Sequence, residues 1–161
     1  MTSTLKLDPK QTLQKRRYDK IAGSYNTMYK RENANHVYKI QEIGRCLFGH
    51  LNNPDGRYDI MEVGCGTGIH AFHFLREYHS RIRRLLLTDI SEKILEEAKK
   101  LLHDFSEIVD FAAVPAENIS QNFLFDGIYV SGALHHFSDP EKFLREAAQR
   151  AFSYFIRKEN K

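Results

Sequence analysis

Cysteine is scarce in this 161-residue chain: Cys46 and Cys65 are the two, and nothing in their placement suggests a pair. That excludes a disulfide framework and leaves no thiolate set for a structural zinc. His70, His73 and His79 invite a metal reading, but no further ligand stands at a convincing spacing, so no metal is expected. The chain also lacks any run near the roughly 18 apolar residues of a membrane-spanning helix. Its first residues, Met1-Thr2-Ser3-Thr4-Leu5-Lys6, have no apolar signal core, and a cytoplasmic location is the expectation. Repeats and low-complexity tracts are absent. Charge of one sign is lacking too: 24 Lys and Arg face 21 Asp and Glu, for a net +3. The basic residues Lys15-Arg16-Arg17, Arg81, Arg83 and Arg84 stand among acids without interleaved aromatic rings. A solvated positive face is therefore favoured over a nucleic-acid surface.

What is present is an ordinary mixture, 42% hydrophobic and 28% charged, sufficient for one domain with a core. Residues 1–11 show no periodicity and are expected to be disordered, which leaves 12–161 as a single domain. From Gln14 the pattern reads as helix to about Tyr29. Val37, Ile40, Ile43, Leu47, Phe48 and Leu51 then mark a second amphipathic helix, and Asn52-Asn53-Pro54-Asp55-Gly56 a turn. Strand and helix alternate afterwards: strand 58–63, helix 69–78, strand 84–88, helix 92–103, strands 108–114 and 126–131, and a helix from 140 to about 156. Asp139 is placed as the N-cap of that last helix, with Pro140 at its first position. Such alternation predicts a Rossmann-like α/β fold, an open parallel sheet of about four strands with flanking helices.

Between the first strand and its helix stands Glu62-Val63-Gly64-Cys65-Gly66-Thr67-Gly68. Alternating glycines let the main chain press against an anionic group at a helix N-terminus. The dinucleotide fingerprint requires glycine at the position held by Ile69, so an NAD-type site is the lesser reading. A second strand, Leu85-Leu86-Leu87-Thr88, ends in Asp89, about 20 residues past the loop, where a carboxylate meets a ribose diol.

These residues resemble the class I S-adenosylmethionine-dependent methyltransferases. Asp89-Ile90, Phe125-Asp126-Gly127-Ile128-Tyr129-Val130-Ser131 and Leu134-His135-His136-Phe137-Ser138-Asp139-Pro140 agree with later motifs of that family. Tyr18-Asp19-Lys20-Ile21-Ala22-Gly23-Ser24-Tyr25 is similar to the N-terminal helix of its small-molecule branch. The resemblance implies a methyltransferase that uses S-adenosylmethionine on a small-molecule acceptor by direct displacement. The alternative is a catalytically silent regulatory or scaffold subunit that binds S-adenosylmethionine or S-adenosylhomocysteine.

By the same resemblance Gly64, Cys65, Gly66 and Gly68 cradle the methionyl end, with Glu62 beneath the loop as an acceptor for its ammonium or for loop amides. Asp89 would hold the ribose hydroxyls, although Asp89 or Ser91 could equally cap the next helix. Ile90 would pack on adenine, and Tyr25 either touches the cofactor or packs. Relatives carry an Asp where Pro115 stands here, so Ala116 and Glu117 are the candidates for adenine recognition. Ser131 ends the fourth strand beside the cofactor, and His135 and His136 are the catalytic candidates, as acceptor-side residues or a base. The family's fold has seven strands; here its turn into the fifth is missing, so the domain is expected to be incomplete at its C-terminus. Strand four then becomes a bare edge that Phe152, Phe155 and Ile156, a second copy or a partner subunit would cover.

Overall fold

The computed structural model describes residues 6–29, 33–51, 56–118 and 124–157. Its first helix, α1 (Pro9–Tyr29), begins earlier than the periodicity suggests. The amide of Gln11 donates to Asp8 Oδ1 at 2.8 Å, and the amide of Asp8 donates to Gln11 Oε1 at 3.0 Å. This reciprocal cap, with Pro9 at the first helical position, orders residues 9–11 that were expected to be disordered. The second helix, α2 (Asn33–Phe48), buries Ile40, Ile43, Leu47 and Phe48 as its spacing predicts. The Val37 side chain and the turn expected over Asn52–Asp55 lie outside the described residues.

From there the alternation holds: β1 (Tyr58–Val63), α3 (Ile69–Tyr78), β2 (Ile82–Asp89), α4 (Glu92–Leu101), β3 (Val109–Ala113), β4 (Phe125–Ser131) and α5 (Pro140–Arg150). Ser91 caps α4 by accepting from the Ile94 amide at 3.2 Å, and Asp139 caps α5 by accepting from the Lys142 amide at 2.8 Å.

A fifth strand, β5 (Ala151–Arg157), follows α5 without an intervening residue. The last helix therefore stops at Arg150 rather than near 156. β5 pairs in parallel with β4, from Phe125 opposite Ala151 to Ser131 opposite Arg157. The strand-four edge on which the expectation of a covering partner rested is thus occupied by the chain's own backbone.

The five strands are all parallel, in the order β3-β2-β1-β4-β5. The side chains of β1 alternate between two cores. Tyr58 and Ile60 join Tyr129 and residues of α2, α3 and α4 on one face; Met61 and Val63 join Ile128, Val130, Phe143 and Ala147 on the other. Burial on both faces explains why the central strands read as nearly continuous apolar runs. The chain moves outward from β1 to β3 and then returns to place β4 on the opposite side of β1. That reversal opens a crevice beyond the carboxyl ends of β1 and β4, where open α/β sheets bind ligands.

Candidate functional site

A cavity of about 270 Å³ occupies this crevice. Its walls include Gly64, Cys65, Gly66, Asp89, Ile90, Ala116 and Glu117, all marked out by the sequence. Tyr25, Ser131, His135 and His136 line it as well. Glu62 and Gly68 do not. Glu62 lies beneath the loop, 1% exposed, and Gly68 is the left-handed residue that starts α3, with φ 78°.

The loop is tied down to β2. The amides of Gly64 and Cys65 both donate to the Thr88 carbonyl, at 2.8 and 2.9 Å. The Gly66 amide donates to Asp89 Oδ2 at 3.0 Å, and the Gly68 amide to the Cys65 carbonyl at 3.0 Å. These four donors are spent holding the turn. The expectation that loop amides take an anion therefore narrows to the α3 N-terminus, where the helix dipole leaves partial positive charge.

Asp89 joins the loop to the next strand. Its Oδ1 accepts from the Ser91 amide at 3.0 Å while Oδ2 takes Gly66. Burial raises its pKa, the amide bonds from Ser91 and Gly66 oppose that, and the neighbouring charge of Asp19 adds to it. Each carboxylate oxygen offers more than one acceptor site, so the group still has capacity toward the cavity. The cap of α4 is Ser91, which leaves Asp89 as the link between loop and strand rather than the cap.

Glu62 accepts from the Tyr129 hydroxyl at 2.9 Å through Oε2. Its Oε1 is buried without a hydrogen-bond partner among the described residues. Desolvation drives its pKa up to about 8, the Tyr129 bond works against this, and Asp89 repels the anion. The Cys65 thiol donates to the Gly66 carbonyl at 3.4 Å, and burial pushes its pKa well up, which disfavours the thiolate.

Glu117 is tied to two other parts of the chain. Its Oε1 accepts from the amides of Ser138 at 2.5 Å and Asp139 at 3.0 Å, and its Oε2 from Gln11 Nε2 at 3.0 Å. The carboxylate is engaged by three protein donors while it lines the cavity. Ala116 lines the cavity beside it.

His135 and His136 form a single turn of 3-10 helix, Leu134–His136, after β4, with their rings 3.8 Å apart. His135 is exposed, while His136 meets the edge of the Tyr18 ring at 5.7 Å. Ser131, 6% exposed, lines this same wall, and its buried hydroxyl has no hydrogen-bond partner among the described residues.

Sequence reasoning missed Gln11, Gln14, Tyr18, Lys39 and His70, which also line the cavity. Gln11, Gln14, Tyr18 and Tyr25 recur at three- to seven-residue spacing along α1, so one face of that helix roofs the crevice. This spacing was readable; what it faced was not. Among the described residues no group of three or more His, Cys, Asp and Glu is arranged to hold a metal, and no helix is long and apolar enough to cross a membrane.

An open parallel sheet with a glycine turn and an acid at its switch point defines a nucleotide-type binding domain. The sequence model of the methyltransferase domain family matches residues 60–151, and the chain belongs to that family. It is 30% identical over 127 residues to the highly reducing polyketide synthase AFT9-1 of Alternaria alternata, covering 70% of this chain and 4% of that protein. It is 32% identical over 83 residues to malonyl-[acyl-carrier protein] O-methyltransferase 1 of Ilyobacter polytropus, covering 52% of this chain and 30% of that one. The chain thus spans less than a third of the length of either curated relative. Its fold is similar to the N-methyltransferase NodS of Bradyrhizobium japonicum, solved with S-adenosyl-L-homocysteine. That match has a TM-score of 0.54 at 20% identity and covers 70% of this chain and 53% of NodS.

Proposed function

We propose that this chain binds S-adenosylmethionine across the β1/β4 crevice and directs its methyl group to a small-molecule acceptor by direct displacement. The observation that carries the reading is the bond between the Gly66 amide and Asp89, which fixes a buried carboxylate to the glycine turn at the cavity wall. Family membership and the names of the relatives support it.

The residues present fit the cofactor. Asp89 retains acceptor sites for two vicinal hydroxyls, and Ile90 and Ala116 give apolar wall beside it. The α3 N-terminus would receive the methionyl carboxylate, and Gly66 allows close approach of the backbone. When bound, S-adenosylmethionine supplies an electrophilic methyl on a sulfonium.

The chain's own contribution is placement. Holding reactants in line supplies roughly 7–11 kcal/mol of a barrier, whereas a general base adds about 100- to 10,000-fold. Ser131, His135 and His136 line the cavity beside the glycine turn, and they orient the acceptor there. His136, packed on Tyr18, receives a proton only if the acceptor must lose one. An acceptor carboxylate needs no such step.

Calorimetry with S-adenosylmethionine and S-adenosylhomocysteine tests the premise. Binding is expected for both, weakened by on the order of 2 kcal/mol in Asp89→Ala. No heat with either at millimolar concentration overturns it. Methyl release against a panel of acceptors then separates a transferase from a module that binds the nucleoside without chemistry.

A further inference from the structure

Glu117 lies in a single helical turn, Ala116–Asn118, between β3 and β4, and is only 6% exposed. A buried carboxylate must be paired or hydrogen-bonded. Glu117 forms no ion pair among the described residues; its partners are N–H donors from two distant parts of the chain. Gln11 comes from the roof helix α1, and Ser138 and Asp139 close the histidine loop and open α5. Two more contacts run alongside: the Lys10 ammonium donates to the Phe137 carbonyl, and Tyr18 abuts His136. The roof of the cavity and the loop carrying both histidines are thus joined, and Glu117 also anchors them to the turn leaving β3.

We infer that Glu117 is a positioning residue that couples α1 to the histidine loop, so that seating the roof over the cavity and placing His135 and His136 are one event. This deepens the proposed methyl-transfer site, and only the last arm of its test rests on that reading. The side chain must accept on both oxygens. A glutamine accepts on one, and its amide nitrogen would face Gln11 Nε2, donor against donor. Gln11 cannot turn around without losing the bond that its Oε1 accepts from the Asp8 amide.

Exchanging the two residues restores the pattern. In Gln11→Glu with Glu117→Gln, the new carboxylate on α1 accepts from the new amide and still accepts from Asp8. Hydrogen exchange on the full chain, without ligand, reads the coupling. In Glu117→Gln the amides of residues 14–18 are expected to exchange roughly 10-fold faster or more, with β1 and β4 amides unchanged. In the exchanged double variant they return to within about threefold of the parent. In Glu117→Ala the amides of both residues 14–18 and residues 135–139 exchange faster. The inference is overturned if Glu117→Gln leaves α1 exchange at the parent level, if the double variant is no better than the single one, or if β1 and β4 loosen equally and the swap does not reverse it. Affinity for S-adenosylhomocysteine should follow the same order, about 10-fold weaker in Glu117→Gln and recovered in the double variant. A chain that binds no nucleoside would sink the proposed function and leave the exchange result to decide the coupling.

Discussion

The Tyr129 hydroxyl donates to Glu62 Oε2 at 2.9 Å, across the β1/β4 pair in which the two residues stand directly opposite. One is 0% and the other 1% exposed. The bond places a buried carboxyl immediately under the glycine turn. Burial holds the Tyr129 hydroxyl well above its ordinary pKa, so Tyr129 remains the donor, and the Glu62 carboxyl titrates near 8.

The sign of the resulting pH dependence follows. The folded pKa of Glu62 stands above its unfolded value, so its stabilising contribution is complete below about 4.5 and is lost as pH rises through about 8. Across that window the parent should lose up to about 1.4 kcal/mol per pH unit from this group. Glu62→Gln removes the titration, so its urea-unfolding stability should gain on the parent as pH rises. A difference between the two that is constant across the window would show that Glu62 is not protonated in the fold. Tyr129→Phe strips the carboxyl of its hydrogen-bond partner among the described residues and should cost about 1–3 kcal/mol.

Two glycines of the turn should fail in different ways. A methyl at Gly64 would stand 2.5 Å from Ala133 Cβ, with φ at 70°, so Gly64→Ala has to push on the start of the histidine loop. At Gly66, φ is 55° and the nearest atom to a new methyl is Tyr25 Cε1 at 3.9 Å. Gly66→Ala should therefore cost only the left-handed strain of roughly 1–2 kcal/mol while obstructing the cavity. Thermal melts and S-adenosylhomocysteine calorimetry together check this. Gly66→Ala should lose binding out of proportion to stability, and Gly64→Ala should lose more stability.

The β1 to β4 framework was legible because strand and helix periodicities alternate cleanly and because Gly64, Gly66 and Asp89 sit at spacings with a mechanism. β5 was not. Arg150 and Ala151 join helix to strand with no Gly, Pro or Asn between them, and Phe152, Phe155 and Ile156 continue a helix-compatible spacing. The aromatic and β-branched content of Phe152-Ser153-Tyr154-Phe155-Ile156 was the available signal for a strand. Asp8-Pro9-Lys10-Gln11 likewise spelled a capping box that composition alone concealed. The partners of Glu117 could not be read from sequence. Its partners Gln11 and Ser138 lie 106 and 21 positions away, and only the fold brings them to one carboxylate.

Removing residues 151–161 tests the weight of β5. The deletion would uncover the β4 edge from Phe125 to Ser131, including the wholly buried Ile128, Tyr129 and Val130. An unpaired parallel edge carrying apolar side chains invites association. The shortened chain should aggregate or unfold at markedly lower urea than the parent in sedimentation and denaturation experiments. A monomer with an unchanged midpoint would mean that the β4–β5 ladder adds nothing to the fold.

The second anchor of the roof helix is Asp19, whose Oδ1 accepts from the Ser91 hydroxyl at 2.6 Å while Lys15 donates to Oδ2 at 3.0 Å. Burial alone would raise the Asp19 pKa, but the bonds from Ser91 and Lys15 outweigh it and the pKa falls below its ordinary 3.8. A carboxylate depressed on folding contributes stability above its unfolded pKa and loses it as pH drops through the folded value. Ser91 meanwhile caps α4, so one hydroxyl serves the helix under the roof and the roof itself. Ser91→Ala should cost about 1–2 kcal/mol in urea denaturation from the cap. It should also raise α1 exchange rates in the Asp19 turn. Asp19→Asn spares the cap, and should loosen α1 alone while flattening the acid limb of the stability profile. Equal behaviour of the two variants in α1 and α4 exchange would show that the cap and the anchor are not separable.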